Sequence, residues 1–293
     1  MIWVEMVKKL VAMGVGFGDS FKATEARPRM IHSALPLARA AITSGVMLSL
    51  VMLAAGVPAR GQEPVDLELV LAADGSGSID DAELALQREG YARAVSDPRV
   101  LEALTGGIYG KSVIAYVEWG SAQSQHTIVD WTVIDGPESA AAFGKALVEA
   151  PRQAWGYNSI SNAIVYSADL IDTNPFKGLR RVIDISADAG NIGGVPLPVA
   201  RQAALNLGIT INGLAISRLG STRPLRAVSL ETEFREAIIG GAGAFVVTVD
   251  ETTSFGEAVL KKMILEVAGL ANVDLARLPA AGRLAFPPGN PTD

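Results

Sequence analysis

Val65-Asp-Leu-Glu-Leu-Val-Leu-Ala-Ala-Asp74-Gly-Ser76-Gly-Ser78-Ile-Asp80 is an apolar run that stops abruptly at an acid, two hydroxyls and two glycines. Leu67 to Ala73 is nearly continuous in apolar side chains, the pattern of a strand covered on both faces, as in a parallel sheet flanked by helices. Asp74 then falls at the strand's carboxyl end, the edge where open α/β sheets bind their ligands. Asp-x-Ser-x-Ser offers a carboxylate and two hydroxyl oxygens, hard donors of the kind Mg²⁺ prefers, and Gly75 and Gly77 are expected to let the backbone fold them round one point. Taken alone, the same residues also suit an ordinary Gly/Ser turn between strand and helix.

Outward from this stretch, strands and helical patterns alternate, which marks a parallel α/β sheet. A helix is expected from about Asp81 to Val95, with Leu84, Tyr91 and Val95 on one side and Asp80-Asp81 favouring its N-terminus through the dipole. Ser112 to Trp119 and Thr127 to Ile134 are rich in β-formers and close in sequence, so they read as a hairpin-like pair forming one antiparallel edge. A helix from about Glu138 to Glu149 follows. The loop Trp155-Gly-Tyr-Asn158-Ser159 then leads into a helix whose Ile160, Ile164, Ala168 and Ile171 keep the 3.6-residue period.

The next strand, Arg181 to Ala187, again ends at an acid, Asp188, followed by Ala-Gly-Asn-Ile-Gly-Gly. Pro196 to Leu207 reads as helix, Ile209 to Ile216 as strand, Leu225 to Ile239 as largely helix and Phe245 to Val249 as the last strand. Ser254 to Val267 closes the series, with Phe255, Val259, Met263 and Val267 facing inward. Three loops therefore meet at one sheet edge: Asp74 with Ser76 and Ser78, then Asn158 with Ser159, then Asp188. Each has a plainer reading, Asp188 as a turn cap and Asn158-Ser159 as a helix N-cap. Asp184, in mid-strand, is either paired in the core or a support for the loop beyond it.

Asp74-Gly-Ser76-Gly-Ser78 resembles the first segment of the metal-ion-dependent adhesion site of von Willebrand factor type A domains. The run from Leu69 through Pro98, with Leu86-Gln-Arg-Glu-Gly-Tyr-Ala after the site, is similar more narrowly to a bacterial family of secreted proteins catalogued as domain of unknown function 1194. The resemblance covers roughly Val65 to Gly269. It implies a three-layer, Rossmann-like α/β fold, mostly parallel, with one antiparallel edge strand. It also implies an ion, Mg²⁺ or alternatively Mn²⁺ or Ca²⁺, whose open position takes an acidic side chain from a protein partner. Asp74, Ser76, Ser78 and Asp188 match the type A pattern. The second loop departs from it: Asn158 stands where a threonine is usual, although an amide carbonyl can ligate a hard cation and Ser159 is adjacent. Ala189 also stands where a glycine usually follows the second acid.

Composition narrows the functions available. Charged residues are 19% and hydrophobic ones 49%, as in a globular chain, and the net charge of −6 without a Lys/Arg cluster argues against nucleic acid as a partner. The absence of cysteine excludes disulfides and thiolate metal sites. Ala40 to Val57 is an apolar stretch preceded by Arg39 and followed by the small-residue pair Val57-x-Ala59, the three parts of a secretory signal. Cleavage there gives a periplasmic or secreted protein that begins near Arg60 and has no membrane contact. An uncleaved anchor is the alternative. Residues 1–59 are therefore read as leader, with Met30 as the expected true start, residues 60–269 as the domain, and 270–293 as a loosely ordered Ala-, Pro- and Gly-rich tail.

No catalytic constellation stands out. Gly106-Gly-Ile-Tyr-Gly110-Lys111-Ser112 is one residue short of a phosphate-binding loop and precedes a strand where that motif must open a helix. Gly75-Ser76-Gly77 lacks the frame of a nucleophile elbow. Of two histidines, His32 lies in the leader and His126 in the edge hairpin. Trp119, Trp131 and Trp155 read as core and rim packing rather than a sugar platform. The expectation is a binding protein and not an enzyme. A metal-dependent hydrolase or phosphatase using the same acids, and a structural module with a degenerate site, are the alternatives.

Overall fold

The computed structural model describes residues 61–216, 229–249 and 255–268. The leader reading, with its Met30 start and Val57-x-Ala59 cleavage pair, and the tail from 270 onward lie outside the described residues. The described residues all belong to the unit Arg60–Asp293. Among them no helix is long and apolar enough to cross a membrane.

The chain runs β1 (Glu63–Asp74), α1 (Asp81–Ser96), α2 (Pro98–Thr105), β2 (Ser112–Trp119), β3 (Gln125–Ile134), α3 (Pro137–Glu149), α4 (Ile160–Thr173), β4 (Phe176–Ala187), α5 (Leu197–Asn206), β5 (Thr210–Ile216), α6 (Leu230–Glu233), β6 (Val246–Val249) and α7 (Phe255–Ala268). The six strands form one sheet in the order β3-β2-β1-β4-β5-β6. Every neighbouring pair is parallel except β2 and β3, the antiparallel edge expected from the sequence.

β1 takes a central place because both of its faces are apolar. Leu67, Leu69, Leu71 and Ala73 pack with Tyr91 and Val95 of α1, Phe143 and Leu147 of α3, and Phe255, Val259 and Met263 of α7. Val70 and Ala72 turn to the opposite layer, against Ile160, Ile164 and Ile171 of α4. Helices thus cover both faces, the three-layer arrangement that lets a parallel sheet bury its backbone. From β1 the chain moves outward to β2 and β3, then returns to β4 on β1's other side. The reversal opens a crevice at the carboxyl ends of β1 and β4, where Asp74 and Asp188 emerge.

Three local features differ from expectation. Asp80 acts on α1 through a specific capping box as well as its charge: its Oδ1 accepts from Glu83 N at 2.8 Å and its own N–H donates to Glu83 Oε2 at 2.9 Å. A further helix, α2, follows at once, capped by Asp97 and opened by Pro98. The expected long helix from Leu225 to Ile239 is shorter. Ser229 Oγ caps it by accepting Thr232 N at 3.1 Å, α6 spans Leu230–Glu233, and a π-helical turn follows over Phe234–Ile238, while 225–228 lie outside the described residues. Phe234 fills the space that the missing side chain of Gly213 leaves on β5.

Asp184 is paired in the core. It faces α7, where Lys262 forms an ion pair with it and stands 3.7 Å from Glu266, all three fully buried. Asn212 Nδ2 donates to both Glu266 oxygens at 2.8 and 2.9 Å, and Asn212 Oδ1 accepts from Phe245 N at 2.9 Å. Two carboxylates share one ammonium in a dry interior. Burial pushes the Glu266 carboxyl up to about 7 against the pull of Lys262, with the charge of Asp184 adding to the rise. Burial raises Asp184 as well, again opposed by Lys262.

Candidate metal centre

The first loop is folded by its own acid. Asp74, fully buried at the end of β1, accepts a hydrogen bond from Ser76 N to its Oδ1 at 2.8 Å, while its main-chain oxygen accepts from Gln87 Nε2 of α1 at 3.2 Å. That turn sets Ser76 Oγ 3.1 Å from Ser78 Oγ. Gly75 N donates to Trp119 O and Gly77 N to Gly156 O, both at 2.8 Å, so the loop is stitched to the end of β2 and to the second loop. Left-handed backbone is not used at Gly75 or Gly77. It occurs at Gly156 in the second loop (φ 95°) and at Gly193 and Gly194 in the third (φ 70° and 79°). Gly75 is needed instead for close approach, since a Cβ there would sit 3.0 Å from Ala154 Cβ.

The second loop delivers Asn158 into the crevice. Its Nδ2 donates to Asp74 Oδ2 at 2.7 Å and to Asp188 Oδ1 at 3.3 Å, and Asp188 N approaches the same Asp74 oxygen at 3.4 Å. Ser159 occupies the position before α4 but makes no side-chain capping bond, so the plain N-cap reading does not describe it. Its hydroxyl donates to Asn162 Oδ1 at 3.3 Å. The third loop lies along the second: Ile192 N donates to Asn158 O at 2.6 Å, and Asn191 Oδ1 accepts Ser161 N at 2.8 Å.

Asp74, Ser76, Ser78, Asn158 and Asp188 therefore converge at the carboxyl edge of the sheet, as the sequence implied, with Ser159 beside them and engaged elsewhere. Burial, and then the charge of Asp188, push the Asp74 carboxyl up to about 7, opposed by the hydrogen bonds from Ser76. Among the described residues no three His, Cys, Asp or Glu side chains gather into a metal-binding group. A cation at this crevice would accordingly lean on hydroxyl and amide oxygens besides the two acids. That donor set is entirely hard oxygen and fits Mg²⁺, Mn²⁺ or Ca²⁺ once the Asn158 amide presents its oxygen instead of its nitrogen.

Arg152, which sequence reasoning passed over, locks the first two loops together. Its guanidinium donates to Gly75 O at 2.9 Å, Ser76 O at 3.0 Å and Asp81 Oδ1 at 2.9 Å, and lies 4.1 Å from the centre of the Trp155 ring. A lone arginine in the Pro151-Arg152-Gln153 connection carries no periodic signal that could have singled it out. Trp119 is core, with its Nε1 donating to Ala72 O at 3.0 Å, whereas Trp155 is exposed at the rim.

Strand order and layering give a three-layer α/β fold that is von Willebrand factor type A-like, and several solved structures are similar to it. Proximal thread matrix protein 1 from the mussel byssus is 13% identical, over 71% of this chain and 49% of that one, with a TM-score of 0.50. A von Willebrand factor type A protein from Catenulispora acidiphila is 15% identical, over 70% and 42%, with a TM-score of 0.47. The pilus adhesin SpaC from Lactobacillus rhamnosus GG, in its open conformation, is 12% identical, over 70% and 30%, with a TM-score of 0.49. The chain thus spans less than half the length of each, and at these identities the likeness is one of fold alone. A family model described as "Protein of unknown function (DUF1194)" matches residues 64–271, and the chain belongs to that family. No curated protein matches the sequence.

Proposed function

We propose that this domain binds a protein partner through a divalent ion held by Asp74, Ser76, Ser78, Asn158 and Asp188, acts outside the cytoplasm, and is not an enzyme. The observation that carries this reading is the placement of two carboxylates around one amide nitrogen, 2.7 and 3.3 Å away, beside a pair of hydroxyls 3.1 Å apart. Two carboxylates that repel each other are costly in a buried crevice, and a cation relieves that repulsion better than an amide. A divalent ion with few direct carboxylates stays electrophilic, so an acidic group from a partner is its natural further ligand. The one histidine among the described residues, His126, sits in β3 with its Nε2 3.3 Å from Ser124 Oγ.

One observation favours a second reading, that of a structural module. Asn158 already satisfies both acids with its own donors, and a site so closed can persist without an ion. The experiment that separates the readings is capture of an envelope protein by the immobilised full chain with Mg²⁺ and with chelator, alongside a turnover screen on phosphate and carboxylic esters. Chelator-sensitive capture of a defined protein, with no turnover, supports the proposal. Metal-dependent turnover would replace it with the hydrolase, and indifference to metal in both assays with the structural module.

A further inference from the structure

The buried trio of Asp184, Lys262 and Glu266 can do more than balance charge. A lysine and two acids taken wholly out of water are often no more stable than an apolar trio of the same volume, so packing alone does not account for them. Lys262 Nζ is pressed against Asp184 Oδ1 and stands 3.7 Å from Glu266 Oε2. Yet neither Lys262 Nζ nor either Asp184 oxygen makes a directed hydrogen bond. Contact of that kind is a poor ion pair and a close approach between an amine and a carboxyl group.

The surroundings favour reaction over ionisation. Asp184 lies in mid-β4 beside Asn212 of β5, and Lys262 and Glu266 are one turn apart on α7. Asn212 Nδ2 holds the Glu266 carboxyl by both oxygens, at 2.8 and 2.9 Å. Val182 and Leu214, which share the strand faces of Asp184 and Asn212, are buried, and the Phe245 ring lies 5.6 Å from Lys262 Nζ. A dry site of this kind penalises charge, and burial raises both carboxyls, Glu266 to about 7. Amine and carboxylic acid are then within reach of each other, and a desolvated lysine is a nucleophile once its proton has somewhere to go.

The geometry points to a covalent cross-link: Lys262 Nζ and Asp184 Cγ join as an intramolecular amide, with Glu266 carrying the proton. Lys262 first passes a proton to the Asp184 oxygen it touches. The amine lone pair then attacks Asp184 Cγ, and the Glu266 carboxylate takes a proton from the attacking nitrogen. Glu266 returns that proton to the departing Asp184 hydroxyl, which leaves as water. One C–N bond forms and one C–O bond breaks, so acid and amine become amide and water with no oxidant, metal or cofactor. Two buried charges disappear in the same step. The product ties β4 to α7 and gives a chain without cysteine the kind of constraint a disulfide supplies. Until it forms, the three groups titrate as the ion-paired cluster described above.

Intact mass spectrometry of the purified full chain, followed by tryptic mapping, tests the cross-link. The wild type should be lighter by one water than its N-terminus and sequence require, with peptide 182–201 joined to peptide 262–277. Lys262→Met should have its full mass, and so should Glu266→Gln, checked as folded by circular dichroism. Full mass in the wild type would overturn the cross-link. So would a water lost elsewhere, as from a succinimide at the exposed Asp135 before Gly136, because the two peptides would then map separately. A cross-link that still forms in Glu266→Gln would overturn the proton-carrying role given to Glu266.

Discussion

The side-chain amide nitrogen of Asn158 donates to Asp74 Oδ2 across 2.7 Å and to Asp188 Oδ1 across 3.3 Å, bridging the two acids of the crevice. The amide nitrogen donates to both carboxylates, where a cation bound between them would stand. It also makes the amide a competitor of any ion. Removing it should expose the conflict: Asn158→Ala should cost about 1–3 kcal/mol in chelator, the penalty of leaving a buried acceptor unmade. Asn158→Thr should show a similar loss in chelator but recover more than the wild type when Mg²⁺ is added. Chemical denaturation in both media measures this.

Gly193 and Gly194 offer a paired test of the third loop. Both have left-handed backbone, so alanine at either is strained by about 1 kcal/mol. A Cβ at Gly193 meets nothing within 4 Å, whereas one at Gly194 would collide with Ser159 Oγ and Asn162 Oδ1. Gly194→Ala should therefore lower the melting temperature clearly more than Gly193→Ala, and should also weaken Mg²⁺ binding because it pushes the third loop off the second.

Arg152 should matter to the ion without touching it. Its fork fixes Gly75 O and Ser76 O, hence the turn that presents Ser76 Oγ. Arg152→Met, which keeps the stem over Trp155, should weaken Mg²⁺ binding several-fold by calorimetry. Arg152→Lys should rescue little of it, since an ammonium cannot reproduce the planar fork.

The apolar run into Asp74 and the second acid after Ala187 were enough to place the crevice, because a strand buried on both faces leaves few architectures and one ligand-binding edge. Asn158 was legible as a departure, but its donors facing both acids were not, since amide orientation follows from neighbours that only the fold supplies. Arg152 was invisible for the same reason. In α7 the helical period picks out Phe255, Val259, Met263 and Val267 as the inward face. The adjoining stripe of Ala258, Lys262 and Glu266 is also buried, and a lysine and glutamate at that spacing look like a solvated pair until Asp184 is set opposite them.

That buried cluster gives stability an unusual pH dependence. Glu266 titrates near 7 in the folded chain and near its ordinary 4.5 when unfolded, so between those values the folded state holds the extra proton. Asp184 and Asp74 are raised in the same direction. Stability should therefore fall in chelator as pH rises from about 4 to about 7 and level off above that, since each proton held only by the folded state is worth roughly 1.4 kcal/mol per pH unit. Glu266→Gln should flatten the slope, while Lys262→Met, which strips two buried carboxylates of their counter-charge, should cost about 3–5 kcal/mol at pH 8. Urea denaturation across the pH range measures both.

Thermal melts of the wild type, Asp74→Ala and Asn158→Thr in Mg²⁺ and in chelator test the ion site most directly, with Mn²⁺, Ca²⁺ and Zn²⁺ as further arms. Binding to the folded state alone stabilises it by about 2.7 kcal/mol at a hundredfold excess over the dissociation constant. We expect a metal-dependent rise for the wild type, most of it lost in Asp74→Ala and enlarged in Asn158→Thr, with zinc offering no advantage over Mg²⁺ at a site that has neither histidine nor thiolate. If all three proteins melt at the same temperature with and without metal, the crevice is held shut by Asn158 alone and the domain does not work through an ion.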